Sequence, residues 1–474
     1  MRKKKMLVKE IAGIWGGNAS AVKDGEITEV SVDSRTVTAP GTTLFFALKG
    51  VNHDAHDYIP VLYARGVRNF VVSEMREAFA GCRDANFFPV PDVRTALQQL
   101  AVWYRNRLAA DIVAVTGSNG KTVVKEWIYQ LLANEPGIYR SPRSYNSQIG
   151  VPLSVLGIGE HVRLAVIEAG ISLPGEMEKL EAVIRPRVGI FTHLGDAHSE
   201  NFTSQHQKLL EKARLFRHCE VVVGRAGTVL DTIRREAAPD ARYFLWGEEE
   251  GVDVRVLSHA VADGGRSLEV EWQGQAFQLH LPFPDEASFE NAMNAVCLLL
   301  LEGKTPAFIA AGVEHLQPIA MRMEIKDGIN HCVLINDYYN SDAASFRLAL
   351  NALAMQDAGR GKVVILSDFV DVGQDEGELY REVADALQHA GVGLFIGIGE
   401  KLPAYQACFH LPVCRFYEDT EAFLRAEDRE LFKDQVILIK GARKFRFEYI
   451  AGFLQKQSHT TVLEVDMDAM VGNL

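Results

Sequence analysis

Short apolar runs that break into polar turns set the rhythm of the middle of this chain. "IVAVT", "LAVIEAG" and "VGIFTHL" are three of them, and segments with helical patterning lie between. Alternation of this kind predicts a parallel sheet with helices on both faces. From near Met321 the rhythm returns in "CVLINDYYN", "KVVILSDF", "VGLFIGIG" and "QVILIKG". These read as buried strands of a second, Rossmann-like sheet. Before Leu108 the texture differs. A short helix near "MLVKEIAGIW" is followed by strand-like pieces, "EITEVSVDS", "TLFFAL" and "NFVVSE". The divisions expected are 1–108, 109–317, 318–458 and a terminal stretch 459–474. No internal repeat or low-complexity segment is evident.

Length and composition agree with that organisation. At 474 residues the chain is too long for one ordinary core. Apolar residues make up 47% and charged residues 24%, the balance of a soluble globular protein. A net charge of -12 argues against a general nucleic-acid partner, which would need a basic field. The opening "MRKKKM" lacks the apolar core of a signal peptide, and "AVCLLLL" is too short to span a bilayer. Six cysteines without paired spacing suggest free thiols and a cytoplasmic protein.

In parallel sheets ligands sit at the carboxyl ends of the strands, so the polar residues after each apolar run hold the chemistry. Gly117-Ser118-Asn119-Gly120-Lys121-Thr122 follows the run Ile112 to Val115 and opens a helix. Glycines let the backbone approach an anion, and a helix N-terminus favours negative charge. Lys121 would reach the β- and γ-phosphates of a nucleotide, and the Thr122 hydroxyl would ligate Mg²⁺. The loop is short by phosphate-loop standards: Val115 stands where the usual spacing has a glycine. An ordinary strand–helix turn is the alternative. A magnesium site needs hard ligands. Glu168 ends "LAVIEAG", His198 follows "VGIFTHLGDAH", and Asn146 lies in the polar turn "YNSQIGVP". Taken singly, each is as readily a solvated loop residue.

The order of "TGSNGKT", "YNSQIGVPLSVL", "VIEAG" and "HLGDAHSENF" resembles the Mur ligases, the ATP-dependent amide-forming enzymes of peptidoglycan precursor synthesis. In that family the shortened loop is normal. The resemblance covers nearly the whole chain and implies three α/β domains: one for the UDP-muramoyl peptide, a central P-loop ATPase and a C-terminal Rossmann-like domain. "SVDSRTVTAPGTTLFFALKG" resembles the uridine-nucleotide domain of the MurE and MurF branches, with Ser31 and Arg35 as contacts. "FENAMNAV" is similar to the asparagine helix on the adenine side and implies Asn291 and Asn294 there. "MRMEI" supplies Arg322. "INDYYNSDAASF" implies Asp337 on the ATP ribose, with Tyr339 and Asn340 toward substrate. "ILIKGARKFRFE" implies Lys440 likewise. "GKTVVKEW" resembles the MurF branch, and the Asp-Asn-Pro-Arg motif of MurE enzymes is absent.

The implied reaction joins D-alanyl-D-alanine to UDP-N-acetylmuramoyl-tripeptide at the expense of ATP, with Mg²⁺. Other readings are a MurE-like or folylpolyglutamate-synthase-like ligase, or a non-catalytic sensor of UDP-muramoyl peptides. The resemblance also implies that Lys212, four residues before Phe216, is carbamylated and shares Mg²⁺ with Glu168 and His198. A solvated basic face formed by Lys208, Lys212 and Arg214 is the plain alternative. Three departures stand out: Val123 for a second threonine, Glu290 for a histidine, and Ala442 for a serine. Finally, "TVLEVDMDAMVGNL" resembles the opening of pyridoxal-phosphate alanine racemases, which implies a covalently attached racemase domain.

Overall fold

The computed structural model describes residues 5–15, 24–50, 53–195, 201–262, 265–319, 323–339, 341–355, 359–369 and 375–456. The expected racemase-like stretch 459–474 lies outside them, as do His198, Arg322 and Asn340. The chain divides into two compact units. One is Met1–Gln317 with Asp371–Gly373, and the other is Pro318–Val370 with Gln374–Leu474. No helix of the described residues is long and apolar enough to cross a membrane.

The first unit holds a four-stranded and a nine-stranded sheet, with a two-stranded ribbon near its start. In the four-stranded sheet Glu29–Ser31, Thr43–Phe46, Asn69–Val72 and Asn86–Pro89 lie parallel and in sequence order. "TLFF" and "NFVV" are buried at every position, as strands covered on both faces must be. Helix Val93–Arg105 follows, capped by the Asp92 carboxylate accepting from the Thr95 N–H at 2.6 Å. It links the two sheets: Tyr104 donates to the Ile158 carbonyl at 2.8 Å, and Leu44, Phe46 and Val71 share one core with Ile112, Ala114 and Ile167.

In the nine-stranded sheet Asp111–Thr116 lies between Leu164–Glu168 and Val188–Phe191, parallel to both. The chain leaves Asp111–Thr116 for the sheet edge at Ile138–Arg140, returns through Leu164–Glu168, and crosses to the other side at Val188–Phe191. This is a topological switch point, where a crevice opens beyond the strand ends. The sheet also carries an antiparallel extension of Val254–Ala262, Gly265–Trp272 and Gln275–Leu281 that apolar runs did not announce. Its last turn has Gln273 and Gly274 at φ 51° and 74°, the left-handed pair that a two-residue hairpin demands.

The second unit is a six-stranded sheet. Val333–Asp337, Gln435–Lys440, Gly361–Ser367, Leu394–Ile398 and Val413–Tyr417 run parallel in that order, with Glu324–Asp327 antiparallel at one edge. The four apolar runs read as strands in this half are its four central strands.

Candidate active site

Strand Asp111–Thr116 delivers the glycine loop into the crevice, and helix Lys121–Leu131 leaves it. Gly117 and Gly120 have φ of 144° and 84°. A Cβ on Gly117 would sit 2.1 Å from Thr192 Oγ1, and one on Gly120 would sit 2.1 Å from Asn291 Oδ1. Both glycines are therefore required by close approach as well as by backbone angle. Thr192 donates to the carbonyls of Thr116 and Asn119, and the Ser118 N–H donates to the His193 carbonyl at 2.6 Å. The loop is thus pinned on its flank by the end of the neighbouring strand. Two buried polar atoms on it, Thr116 Oγ1 and Asn119 Nδ2, have no partner among the described residues. Buried polar groups are normally satisfied, so a polar ligand fits here.

Glu168 ends its strand with 1% of its surface exposed. Its Oε2 accepts from Thr122 Oγ1 at 2.8 Å and its Oε1 from Asn146 Nδ2 at 2.6 Å. Three residues singled out separately in the sequence therefore meet at one carboxylate. Among the described residues no three His, Cys, Asp or Glu side chains converge as a ready-made metal centre would. The oxygens at hand are the Thr122 hydroxyl and the Glu168 carboxylate, hard donors of the kind Mg²⁺ takes.

The plain alternative of a solvated face fails for two of its three members: Lys208 and Lys212 on helix Gln205–Ala213 are buried, while Arg214 is exposed. Lys212 is 2% exposed and donates to the Gly117 carbonyl at 3.1 Å. Lys208 donates to the Gly195 carbonyl. Lys121 turns back on its own loop and donates to the carbonyls of Gly117 and Ser118 at 3.0 and 2.9 Å. Burial pushes the Lys212 ammonium well below the ordinary lysine range, and Lys121 and Lys208 push it the same way. Three amines thus line the crevice floor beside the loop and the turn at Gly195. Burial is what the lysine spacing did not carry: a helix surface against a sheet and one against water present the same residues.

On helix Glu286–Leu301, Asn291 reaches the loop at Gly120. Asn294 instead accepts from Trp246 Nε1 at 3.0 Å and donates to the Glu290 carbonyl, holding the helix on the sheet. Glu290, which stands where the family it resembles often has a histidine, accepts from Arg225 at 2.6 Å. At the start of the chain Ser31 is spent on its own turn, donating to the Asp33 carbonyl at 2.9 Å. Arg35 pairs with Asp33 at 2.7 Å, with 86% of its side chain exposed. That turn is locally self-sufficient.

In the second unit Asp337 and Lys440 face each other across paired strands at 2.9 Å. Arg443 lies over the Tyr339 ring, 5.5 Å from its centre. The Ala442 N–H donates to Ser367 Oγ at 2.9 Å, so a hydroxyl serves this turn from a neighbouring strand. A cleft of about 630 Å³ opens nearby, lined among others by Glu400, Glu418, Lys444 and Arg446.

Two family models match this chain, the Mur ligase middle domain over residues 115–299 and the "Mur ligase, glutamate ligase domain" over 321–443. Among curated proteins it is similar to the UDP-N-acetylmuramoyl-tripeptide–D-alanyl-D-alanine ligases of Haemophilus influenzae and Bacillus subtilis. Each is 26% identical, over 91% and 94% of this chain and 94% and 97% of the relative. A crystal structure of MurF from Acinetobacter baumannii superposes with a TM-score of 0.83 at 23% identity, covering 96% of this chain and 99% of the other.

Proposed function

This chain belongs to the Mur ligases, and we propose that within that family it joins D-alanyl-D-alanine to UDP-N-acetylmuramoyl-tripeptide, converting ATP to ADP and phosphate. The observation that carries the reading is the crevice floor. Lys121, Lys208 and Lys212 surround a glycine loop whose flank holds partnerless polar atoms, while Thr122 and Asn146 grip Glu168. A nucleotide's phosphates answer that charge.

The chemistry follows from a poor leaving group. A carboxylate cannot lose oxide to an amine. The tripeptide's terminal carboxylate attacks the γ-phosphorus, the bond to the β-phosphate oxygen breaks, and an acyl phosphate and ADP form. The dipeptide's neutral amine then adds to the acyl carbon, loses a proton, and phosphate departs. Lys121 offers its ammonium to the transferring phosphoryl group, where charge shifts in the transition state. Asn291, against Gly120, serves the nucleotide side. Asp337 serves the ATP ribose and the undescribed Arg322 the nucleotide, while Lys440, Tyr339 and the undescribed Asn340 serve the substrate. Ser31 and Arg35 serve the uridine nucleotide. For the dipeptide, the cleft of the second unit has both carboxylates and cations, as a zwitterion requires.

Thr122 and Glu168 would hold Mg²⁺, and bound there it would neutralise phosphate charge. Lys212 and the undescribed His198 complete the metal set. A free ammonium repels a cation; a carbamate does not. Lys212 Nζ, depressed toward the neutral amine, adds to the carbon of CO₂ and releases a proton. Carbon-13 bicarbonate should then give a carbamate resonance that Lys212→Ala lacks. Six unpaired cysteines support a cytoplasmic setting.

The deciding experiment is phosphate release from ATP. Release that requires both UDP-N-acetylmuramoyl-tripeptide and D-alanyl-D-alanine supports the reading. Release with a single amino acid in place of the dipeptide would move the chain to another branch of the family. Tight muramoyl-peptide binding with no release would make it a sensor.

A further inference from the structure

Lys125 has no task in the reaction drawn above, yet it is fully buried one helical turn beyond Lys121. Burying an ammonium is costly unless its protons are all received. Here they are. Its Nζ donates to the Ser141 carbonyl at 3.0 Å and to the Arg143 carbonyl. Glu126 Oε1 lies 3.1 Å away, and Glu168 Oε2 lies 3.9 Å away. An apolar side chain would pack a helix against a sheet with no such demand, so what the ammonium holds is informative.

It holds the segment 141–146. This stretch leaves the edge strand Ile138–Arg140 and has no regular structure of its own before helix Gly150–Val155. It nevertheless lies over the end of strand Leu164–Glu168. Ser141 Oγ accepts from the Glu168 N–H at 3.2 Å, Ser144 Oγ lies 3.4 Å from Thr122 Oγ1, and Asn146 grips Glu168 Oε1. Arg143 is held at φ 48°, left-handed backbone that a non-glycine residue keeps only when its surroundings insist. The carbonyl of that strained residue is one of the two to which Lys125 donates. Glu126 adds a tie from the same helix, meeting Arg140 Nε at 2.6 Å. The segment meets the neighbouring strand through the Ser141 N–H to the Val166 carbonyl at 2.9 Å and the Gly170 N–H to the Asn146 carbonyl at 2.8 Å, and it is anchored in addition from the helix that begins at the phosphate loop.

We infer that Lys125 is a positioning residue for the muramoyl-peptide side of the site: it clamps segment 141–146 to the loop-bearing helix, so that Ser144 and Asn146 stand where the substrate's reacting carboxylate arrives beside Glu168. The inference rests on the ligase reading of Glu168 and Asn146. It separates two functions of one helix. Lys121 and Thr122 at its start serve the nucleotide, and Lys125 one turn on serves the acceptor side.

The test is Lys125→Met, which keeps an unbranched side chain one atom shorter and removes the charge. The KM for UDP-N-acetylmuramoyl-tripeptide should rise about tenfold or more while that for ATP stays within about twofold. Amide hydrogen exchange over 141–149 should quicken while that of helix Lys121–Leu131 does not. Lys125→Gln, which still offers a donor to one carbonyl, should fall between Met and wild type, and it carries the same reading if the Met variant fails to fold. A residue that only supports the fold would lower thermal stability and the active fraction and leave both KM values alone. That result, or an equal rise in both, overturns the inference. Wild-type protein runs in the same assay: if it does not turn over, it is the ligase reading that fails.

Discussion

At the carboxyl ends of the nine-stranded sheet, three lysines crowd one glycine loop and donate to backbone carbonyls. At the carboxyl ends of the six-stranded sheet, Lys440 meets the Asp337 carboxylate at 2.9 Å. Asp368 there accepts from the N–H groups of Glu400, Lys401 and Leu402 at 2.8 to 3.0 Å, closing the turn that opens the next helix. Both sheets obey the same rule of parallel architecture, with polar residues where the strands stop. They differ in what accepts the amine protons: backbone carbonyls beside the loop in the first sheet, the Asp337 carboxylate in the second. The lesson is that strand ends locate candidate sites in both sheets, and the partner of each buried charge says what its removal would expose.

The contrast can be broken most forcefully at Lys121. Lys121→Ala should raise the barrier to amide formation by about 3 kcal/mol or more, read as kcat under saturating ATP. Binding of UDP-muramoyl-tripeptide, followed calorimetrically, should stay near wild type. Near wild-type turnover would mean that the loop does not hold the reacting phosphate.

A comparable removal in the second sheet should act on folding. Asp337→Ala leaves the buried Lys440 without its carboxylate and should cost about 3 kcal/mol of stability, seen as a lower melting transition in scanning calorimetry. An unchanged transition would show that the second sheet is not charge-balanced by this pair.

Lys212 sharpens the comparison, because its amine is stability given up for function. Lys212→Ala should lose most activity, and added acetate should restore part of it by supplying carboxylate oxygens. Lys212→Met in bicarbonate-free buffer should melt higher than wild type near neutral pH. Since the folded pKa lies below the unfolded one, the unfolded chain binds more protons, and wild-type stability rises with pH on this account. The gain in Lys212→Met should therefore shrink as pH climbs and vanish above about pH 10, the ordinary lysine range. A lower melting temperature at neutral pH would contradict the direction of the shift.

The smallest effect belongs to Arg35. Its pairing with Asp33 is exposed, so Arg35→Ala should leave melting unchanged. It should raise the KM for the muramoyl substrate and not that for ATP. Equal rises in both would make the turn structural.

Much of this molecule was legible in one dimension because parallel sheets write themselves as continuous apolar runs. "LAVIE", "VGIF", "VLIND" and "QVILIK" are buried on both faces, and each became a strand within about three residues of its reading. The glycine loop was legible for a similar reason: angles near 144° and 84° at 117 and 120 admit glycine and little else. The hairpins from Val254 to Leu281 were less so, since half-exposed strands alternate weakly. What the third dimension decided was partnership. Asn146, Glu168 and Thr122 are scattered over 46 positions, and only strand order brings them to one carboxylate. Lys125, Lys208 and Lys212 look like any surface lysines of amphipathic helices, and only packing removes their water. Ser31 and Arg35 resemble ligand contacts, and folding adds a bond for each within their own turn. Local physics governs which element forms and where it ends, because backbone angles and side-chain periodicity are properties of neighbours. Burial of charge depends on residues a hundred positions away, and no local pattern records it.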